Sequence, residues 1–253
     1  MFNFIKKLFK RKPTAKSMKN SNEPWVNVVA AHVDPKRSAT KIYSDVPTIV
    51  GNAERWALQS DLIELDGWSE PAVAQCIAAN LPLGASLYVS SSRPIRDFES
   101  FAHPRDGVEV FANRGLAGID GNLSTALGIA SKRECTYAVV GDLSFLHDLT
   151  ALVNREELKL KLIVINNDGG GIFSTLPQAG VPGFEKIFGT PHGQDLFEIV
   201  NAFKIPVTEI DDLKSLKQFM SPPSKFEIAI LQMPNREDNA AIIKELAKRV
   251  NYR

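Results

Sequence analysis

Thr136-Tyr-Ala-Val-Val-Gly141-Asp142-Leu143-Ser144 and Leu162-Ile-Val-Ile165-Asn166-Asn167-Asp168-Gly169-Gly170-Gly171 are the two stretches that decide the fold. Each is a short apolar run that ends in an oxygen-bearing side chain. Continuous apolar runs set between helical patterns read as strands of a parallel sheet covered on both faces. Ligands of such sheets gather outside the carboxyl ends of the strands, which is where Asp142 and Asn167 stand. Two such oxygens, with glycines behind them exposing a backbone carbonyl, make half the shell of a hard octahedral cation. A diphosphate would supply the missing ligands and lie on the amides at a helix start near Ser144. Singly, each residue has an ordinary role, Asp142 capping a helix and Asn167 making a turn. Their occurrence together, ahead of the Gly169–Gly171 run, favours the ion.

Outward from these stretches the chain alternates regularly. Ser69-Glu-Pro-Ala opens a helix with proline in its first turn, and Val73, Cys76, Ile77 and Leu81 form its apolar stripe. There follow a strand over 86–90, a helix over 94–101, a strand over 108–112, a helix over 122–131 and the strand 136–140. A helix from Ser144 to about Glu157 leads to the strand 162–165. Further helices are expected near 195–203, 213–219 and 239–250, with strands near 206–209 and 226–232. The fold class is therefore α/β, a mostly parallel sheet with helices on both faces and a short N-terminal extension. Residues 1–24 read as a basic tail and linker, Trp25–Val33 as a β-rich run broken at Asp34-Pro35, and 69–253 as the main domain.

Every polar cluster falls at a strand end. Ser90-Ser91-Ser92-Arg93-Pro94-Ile95-Arg96 follows one strand and Asn113-Arg114-Gly115-Leu-Ala-Gly118-Ile119-Asp120-Gly121 the next. Two arginines, Arg96 and Arg114, amid small residues at neighbouring termini suit bidentate capture of a substrate carboxylate. The glycines at 115, 118 and 121 do not fit GxGxxG, and there is no Walker A sequence. His32, His103, His147 and His192 are scattered; His147 lies nearest the expected ligand end but reads as a packing residue. No Ser-His-Asp order or GxSxG elbow is present.

Composition narrows the classes. With 44% hydrophobic and 23% charged residues the 253-residue chain is an ordinary globular one. Cys76 and Cys135 have no CxxC or metal spacing and read as reduced thiols of a cytoplasmic protein. Seven of the 30 basic residues crowd into residues 1–19 without an acid, leaving an acidic body that lacks a nucleic-acid footprint. Phe2, Ile5, Leu8 and Phe9 share one helical face opposite those cations, a pattern compatible with a membrane-surface helix. A disordered basic leader is the simpler reading.

Asn113-Arg114-Gly-x-x-Gly118-Ile119-Asp120-Gly121-x-x-Ser124-Thr125-Ala126-x-Gly128, Gly141-Asp142-Leu143-Ser144 and Asn166-Asn167-x-Gly169-Gly170-x-Ile172-Phe173 resemble the thiamine-diphosphate domain of the 2-succinyl-5-enolpyruvyl-6-hydroxy-3-cyclohexene-1-carboxylate synthases of menaquinone biosynthesis. The likeness is to the C-terminal domain of that family and runs from about Ser69 onward, with Trp25 to Pro47 resembling the tail of its central domain. The resemblance implies thiamine diphosphate and Mg²⁺ (or Mn²⁺) as cofactors, with Asp142, Asn167 and the Gly169 carbonyl on the metal. Gly141, Leu143 and Ser144 would line the diphosphate, and Ile119 would bend the cofactor. Ser92, Arg96 and Arg114 would bind substrate carboxylates, against an apolar wall of Ile172, Phe173 and Leu176. The implied reaction is decarboxylation of 2-oxoglutarate followed by addition to isochorismate.

The family's glutamate that activates the aminopyrimidine has no counterpart in this sequence, whose residues 1–68 do not form a pyrimidine-binding domain. The catalytic acid is therefore unassigned, and turnover is expected to need a homo- or hetero-oligomer with a chain carrying that domain. Two alternatives are a non-catalytic cofactor-binding remnant and another 2-oxo-acid decarboxylase, such as an acetolactate-type enzyme. The Arg114–Gly121 run speaks against the latter.

Overall fold

The computed structural model describes residues 64–103, 105–154 and 157–249, together with two short strands near the N-terminus. The basic tail, the 13–25 linker, most of the Trp25–Val33 run and His32 lie outside the described residues. Two compact units are present, one spanning Arg11–Leu62 and a larger one that includes Ile63–Arg253. In the smaller unit β1 (Val26–Val28) pairs in parallel with β2 (Lys41–Tyr43).

The larger unit is built on six parallel strands: β3 (Ser86–Val89), β4 (Glu109–Phe111), β5 (Thr136–Gly141), β6 (Leu160–Asn166), β7 (Val207–Ile210) and β8 (Glu227–Gln232). Their spatial order is β4-β3-β5-β6-β8-β7. The α-helices are α1 (Glu70–Asn80), α2 (Arg93–Phe101), α3 (Asn122–Ala130), α4 (Asp142–His147), α5 (Leu196–Ala202), α6 (Leu213–Phe219) and α7 (Arg236–Arg249). The expected doubly covered parallel sheet is what forms.

Side chains alternate across a strand, and the two faces of the sheet sort accordingly. Leu87, Val89, Tyr137, Val139, Ile163, Ile165, Ala229 and Leu231 pack under Val73 and Ile77 of α1, Ile95 and Phe98 of α2 and Leu216 of α6. Tyr88, Ala138, Val140, Leu162, Val164, Ile228 and Ile230 face the other way, under Leu123 of α3, Phe145 of α4 and Val200 of α5. Central strands with both faces buried need no polar alternation, and for that reason they read in sequence as unbroken apolar runs.

Helix starts follow local chemistry. The Ser69 hydroxyl accepts from the Ala72 amide and Pro71 sits in the first turn of α1. Asp195 and Asp212 cap α5 and α6 in the same way. Two helices differ from expectation by more than a residue. The helix expected from Ser144 to about Glu157 begins two residues earlier, at Asp142, and breaks at Asp148, continuing as a 3-10 turn over Leu149–Asn154. Asp148 leaves helical geometry while its carboxylate accepts from the Ser124 amide at 2.8 Å and hydroxyl at 3.1 Å, tying this segment to the start of α3. The last helix starts at Arg236 rather than Asn239, because Asn235 caps it by accepting from the Asp238 amide at 2.8 Å.

Leu162 is fully buried at the centre of the sheet. Leu162→Ala is expected to destabilise the domain by about 2–5 kcal/mol. Urea unfolding followed by near-ultraviolet circular dichroism should show a lower midpoint at an unchanged slope.

Candidate functional site

The chain leaves β3 for β4 on one side and reaches β5 on the other, so the strand order reverses between β3 and β5. Such a reversal opens a crevice at the carboxyl ends, which open α/β sheets use for ligands. Ser90–Ser92 leave β3 at this crevice, Gly141 and Asp142 leave β5, and Asn166 and Asn167 leave β6 directly beside β5.

Asp142 is the organising group. It is buried, and its Oδ2 accepts from the Asn167 amide at 3.1 Å and from the Gly169 amide at 2.8 Å. Oδ1 accepts from the Leu143 amide at 2.6 Å. The two sequence-predicted ligands are thus brought together, and the carboxylate does more than cap its own helix. The expectation of unclaimed amides at a helix start near Ser144 is corrected in part. The helix starts at Asp142, Gly141 is its extended cap, and the Leu143 amide is taken by Asp142 itself.

Asn167 carries the observation that best fits a bound cation. Its Nδ2 donates to Glu70 Oε1 at 2.6 Å, whereas its Oδ1 is buried with no hydrogen-bond partner. A buried acceptor left without a partner costs about 1–3 kcal/mol, and coordination to a cation would remove that cost. Gly171 makes the space, since a Cβ there would lie 2.5 Å from Asn167 Nδ2. The residues present therefore fit a divalent ion held by Asp142 and Asn167. The Gly169 carbonyl accepts from the Gly171 amide at 3.0 Å and keeps a second lone pair for a metal. Among the described residues no cluster of three or more His, Cys, Asp or Glu forms a metal centre by itself.

The glycine run is clamped from below. Gly169 has φ +132°, and a Cβ on it would lie 2.2 Å from the Gly189 carbonyl and 2.3 Å from Arg236 Nη1. The Gly170 amide donates to that same carbonyl at 2.7 Å, and Arg236 Nη1 donates to it at 2.8 Å. Arg236 also reaches the Asp168 carbonyl and the Glu185 carboxylate. Asp168 in turn accepts from the amides of His192 and Gly193. His192, one of the scattered histidines, lands against Asp142, its Nε2 standing 3.4 Å from Oδ2. The Gln194 amide donates to Nδ1, so the neutral ring carries its proton on Nε2, facing the carboxylate. Asp142 raises the proton affinity of His192 above its ordinary value, against the opposing effect of burial.

The expected substrate residues follow the carboxyl ends of β3, β4 and β6. Ser92 has φ +73°, a strained conformation for a non-glycine residue, and its carbonyl accepts from Arg96 Nη1 at 2.6 Å. Partial burial, then the neighbouring charges of Arg114 and Arg93, depress the Arg96 pKa. Like charges repel, so Arg96 and Arg114 form a cationic locus on which an anion would relieve repulsion. Ile119 and Leu176 are exposed apolar side chains. Ile172 and Phe173 lie on a 3-10 turn, Gly171–Thr175, with Phe173 stacked obliquely on Phe188 at 5.3 Å.

Three contributors were not singled out from the sequence. Glu70 read as a helix-start acid, and α1 carries it into the site, buried. Arg93 links Glu70 to the buried Asp97. Arg236 comes from a helix more than 60 positions beyond the glycines it clamps. Only the Glu70-Pro71 helix start carried a local signal, and that signal is identical in a purely structural helix.

No family model matches the chain. Curated relatives do. The 2-succinyl-5-enolpyruvyl-6-hydroxy-3-cyclohexene-1-carboxylate synthase of Chloroflexus aurantiacus is 33% identical over 241 residues, 92% of this chain and 41% of its own length. The synthase of the same name from Lysinibacillus sphaericus is 38% identical over 72% of this chain and 33% of its own. That of Myxococcus xanthus is 49% identical over 56% of this chain and 26% of its own. The chain therefore resembles part of these synthases over most of its length, and spans well under half the length of the relatives it matches. A solved structure, benzoylformate decarboxylase from Polynucleobacter necessarius, aligns with 65% of this chain and 32% of its own at a TM-score of 0.49 and 22% identity, too loosely to bear weight.

Gly169→Ala is expected to displace the Gly169–Gly171 run. An L-residue at this φ is strained by about 1–3 kcal/mol, and the added methyl collides with backbone. Hydrogen exchange should show lost protection at the Gly169 and Gly170 amides, with the sheet amides unchanged.

Proposed function

We propose that residues 69–253 form the Mg²⁺- and diphosphate-holding domain of a thiamine-diphosphate-dependent transferase of the 2-succinyl-5-enolpyruvyl-6-hydroxy-3-cyclohexene-1-carboxylate synthase type. The enzyme decarboxylates 2-oxoglutarate and adds the succinyl-semialdehyde unit to isochorismate, in the cytoplasm, as a step of menaquinone biosynthesis. The observation that carries this reading is the pairing of Asp142 with Asn167 at adjacent strand ends, with Asn167 Oδ1 buried and unpartnered. The curated relatives named as this synthase support the choice among diphosphate-binding chemistries.

In this reading Asp142, Asn167 and the Gly169 carbonyl hold Mg²⁺, which Mn²⁺ can replace. Gly141, Leu143 and Ser144 lie against the diphosphate, and Ile119 presses on the cofactor. When bound, thiamine diphosphate supplies the electron sink that decarboxylation needs. The protein's own work is placement. Arg96 and Arg114, with the Ser92 hydroxyl, hold polyanionic substrates by their carboxylates, and an arriving anion offsets the mutual repulsion between the guanidiniums. Ile172, Phe173 and Leu176 exclude water from the reacting end, which strengthens those contacts.

Residues 25–68 belong, in this reading, to the end of a central domain. The pyrimidine-binding domain and its activating glutamate come from the part of the synthase that the sequence here does not match, joined as a companion chain in a homo- or hetero-oligomer.

Isothermal titration calorimetry tests the cofactor reading. The chain should bind thiamine diphosphate only when Mg²⁺ is present. Asp142→Ala should weaken this by more than about a hundredfold, beyond what losing an outer hydrogen-bond partner of a metal ligand costs. Binding indifferent to Mg²⁺ or to Asp142 would contradict the assignment. With 2-oxoglutarate, isochorismate and both cofactors supplied, turnover should appear only once the companion domain is added. Turnover by the chain alone would overturn the companion-domain part.

A further inference from the structure

We propose that Glu70 is a positioning residue that decides which end of the Asn167 carboxamide faces the metal ion. The inference rests on the metal-site reading above and assigns a role to a residue outside the ligand set. The oxygen and nitrogen of a carboxamide are nearly the same in size, so packing alone cannot tell one orientation from its 180° flip. A hydrogen-bond partner can. An ionised carboxylate only accepts, and Glu70 Oε1 takes the hydrogen bond of Asn167 Nδ2 at 2.6 Å. The flipped amide would set its oxygen against that carboxylate and turn two N–H donors toward the cation. With Nδ2 committed to Glu70, Oδ1 is the atom left buried and unpartnered, as a metal ligand must be.

Glu70 is itself fixed from several sides. Its amide donates to Asn239 Oδ1 at 3.2 Å, which anchors the start of α1 to α7. Arg93 Nε stands 3.9 Å from its Oε2 and also grips the buried Asp97. Both carboxylates are shielded from solvent, so neither swings away to water. The line Asp97–Arg93–Glu70–Asn167 runs from α2 through the start of α1 to the end of β6. It gives the amide a single orientation before any ion arrives. Gly171 contributes by leaving the amide room, since a Cβ there would lie 2.5 Å from Asn167 Nδ2.

A double-substitution cycle tests this, read as Mn²⁺ affinity by electron paramagnetic resonance in the presence of thiamine diphosphate. Glu70→Leu removes the acceptor at similar volume and should lower Mn²⁺ affinity by about tenfold to a hundredfold, as loss of a ligand's orienting partner does. In the Asn167→Asp background both side-chain oxygens are alike and there is no flip to select. Glu70→Leu should then cost nothing, or tighten binding by removing a neighbouring negative charge. Equal losses in the two backgrounds would mean that Glu70 merely supports the fold, and would overturn the proposal. So would an undiminished affinity in the Asn167 background.

If Glu70→Leu does not fold, Glu70→Gln takes its place, with an expected loss of about threefold to tenfold confined to the Asn167 background. A second readout is the side-chain NH₂ resonance of Asn167. It should be downfield and protected from exchange in the unsubstituted chain, and should lose both properties in Glu70→Gln. An exchange-prone NH₂ in the unsubstituted chain would overturn the proposal. Failure of the unsubstituted chain to bind Mn²⁺ at all would sink the metal-site reading itself. Normal binding with an unaffected Glu70 variant would sink only the role given to Glu70.

Discussion

The carboxylate of Asp142 stitches together two strand ends that would otherwise diverge into separate loops. By accepting from the amides of Asn167 and Gly169 it ties the exit of β6 to the exit of β5. The cost of losing it is twofold. Three backbone donors, the amides of Leu143, Asn167 and Gly169, would be left without their acceptor, at about 1–3 kcal/mol for each that is buried, and Asn167 would lose its fixed place. Everything proposed for this site presupposes that geometry, because an ion can bridge two side chains only when the backbone already presents them to one another.

Around that centre the structure uses polar groups sparingly and in linked sets. Glu70 and Asp97 are buried with the half-buried Arg93 between them, and each is held by at least one other. A buried charge without a partner is costly, whereas a linked set fixes orientation. Arg236 does the corresponding work on the far side of the glycine run, where its guanidinium gathers the Asp168 and Gly189 carbonyls and Glu185. The loop that bears the expected metal ligands is therefore held between α1 on one side and α7 on the other, with rigid sheet beneath. A site needing ångström-level placement is better served by such support than by a free loop.

Much of this was legible in the order of residues, and the reason is physical. Strands buried on both faces are mostly apolar, so β5, β6 and β8 announce themselves by their central runs, although the buried Lys161 hides the first two residues of β6. Asp142 and Asn167 could be read because each follows such a run. What escaped was whatever depends on long-range meeting. Glu70 carries no local mark beyond being an acid in a first helical turn. His192 reaches Asp142 through a loop whose path depends on Asp168 and Arg236. The break at Asp148 comes from a bond to Ser124, 24 positions away, and nothing in the apolar spacing of Phe145, Leu149 and Leu152 foretells it.

In the function proposed here one divalent ion is shared by the side-chain oxygens at positions 142 and 167 and carries a diphosphate. A crystal structure of the chain grown with Mg²⁺ and thiamine diphosphate tests it most directly. A single six-coordinate ion is expected at about 2.1 Å from an Asp142 oxygen and from Asn167 Oδ1, with diphosphate oxygens among its remaining ligands. An ion or diphosphate bound elsewhere, or an Asn167 carboxamide turned with its nitrogen toward the metal, would contradict it.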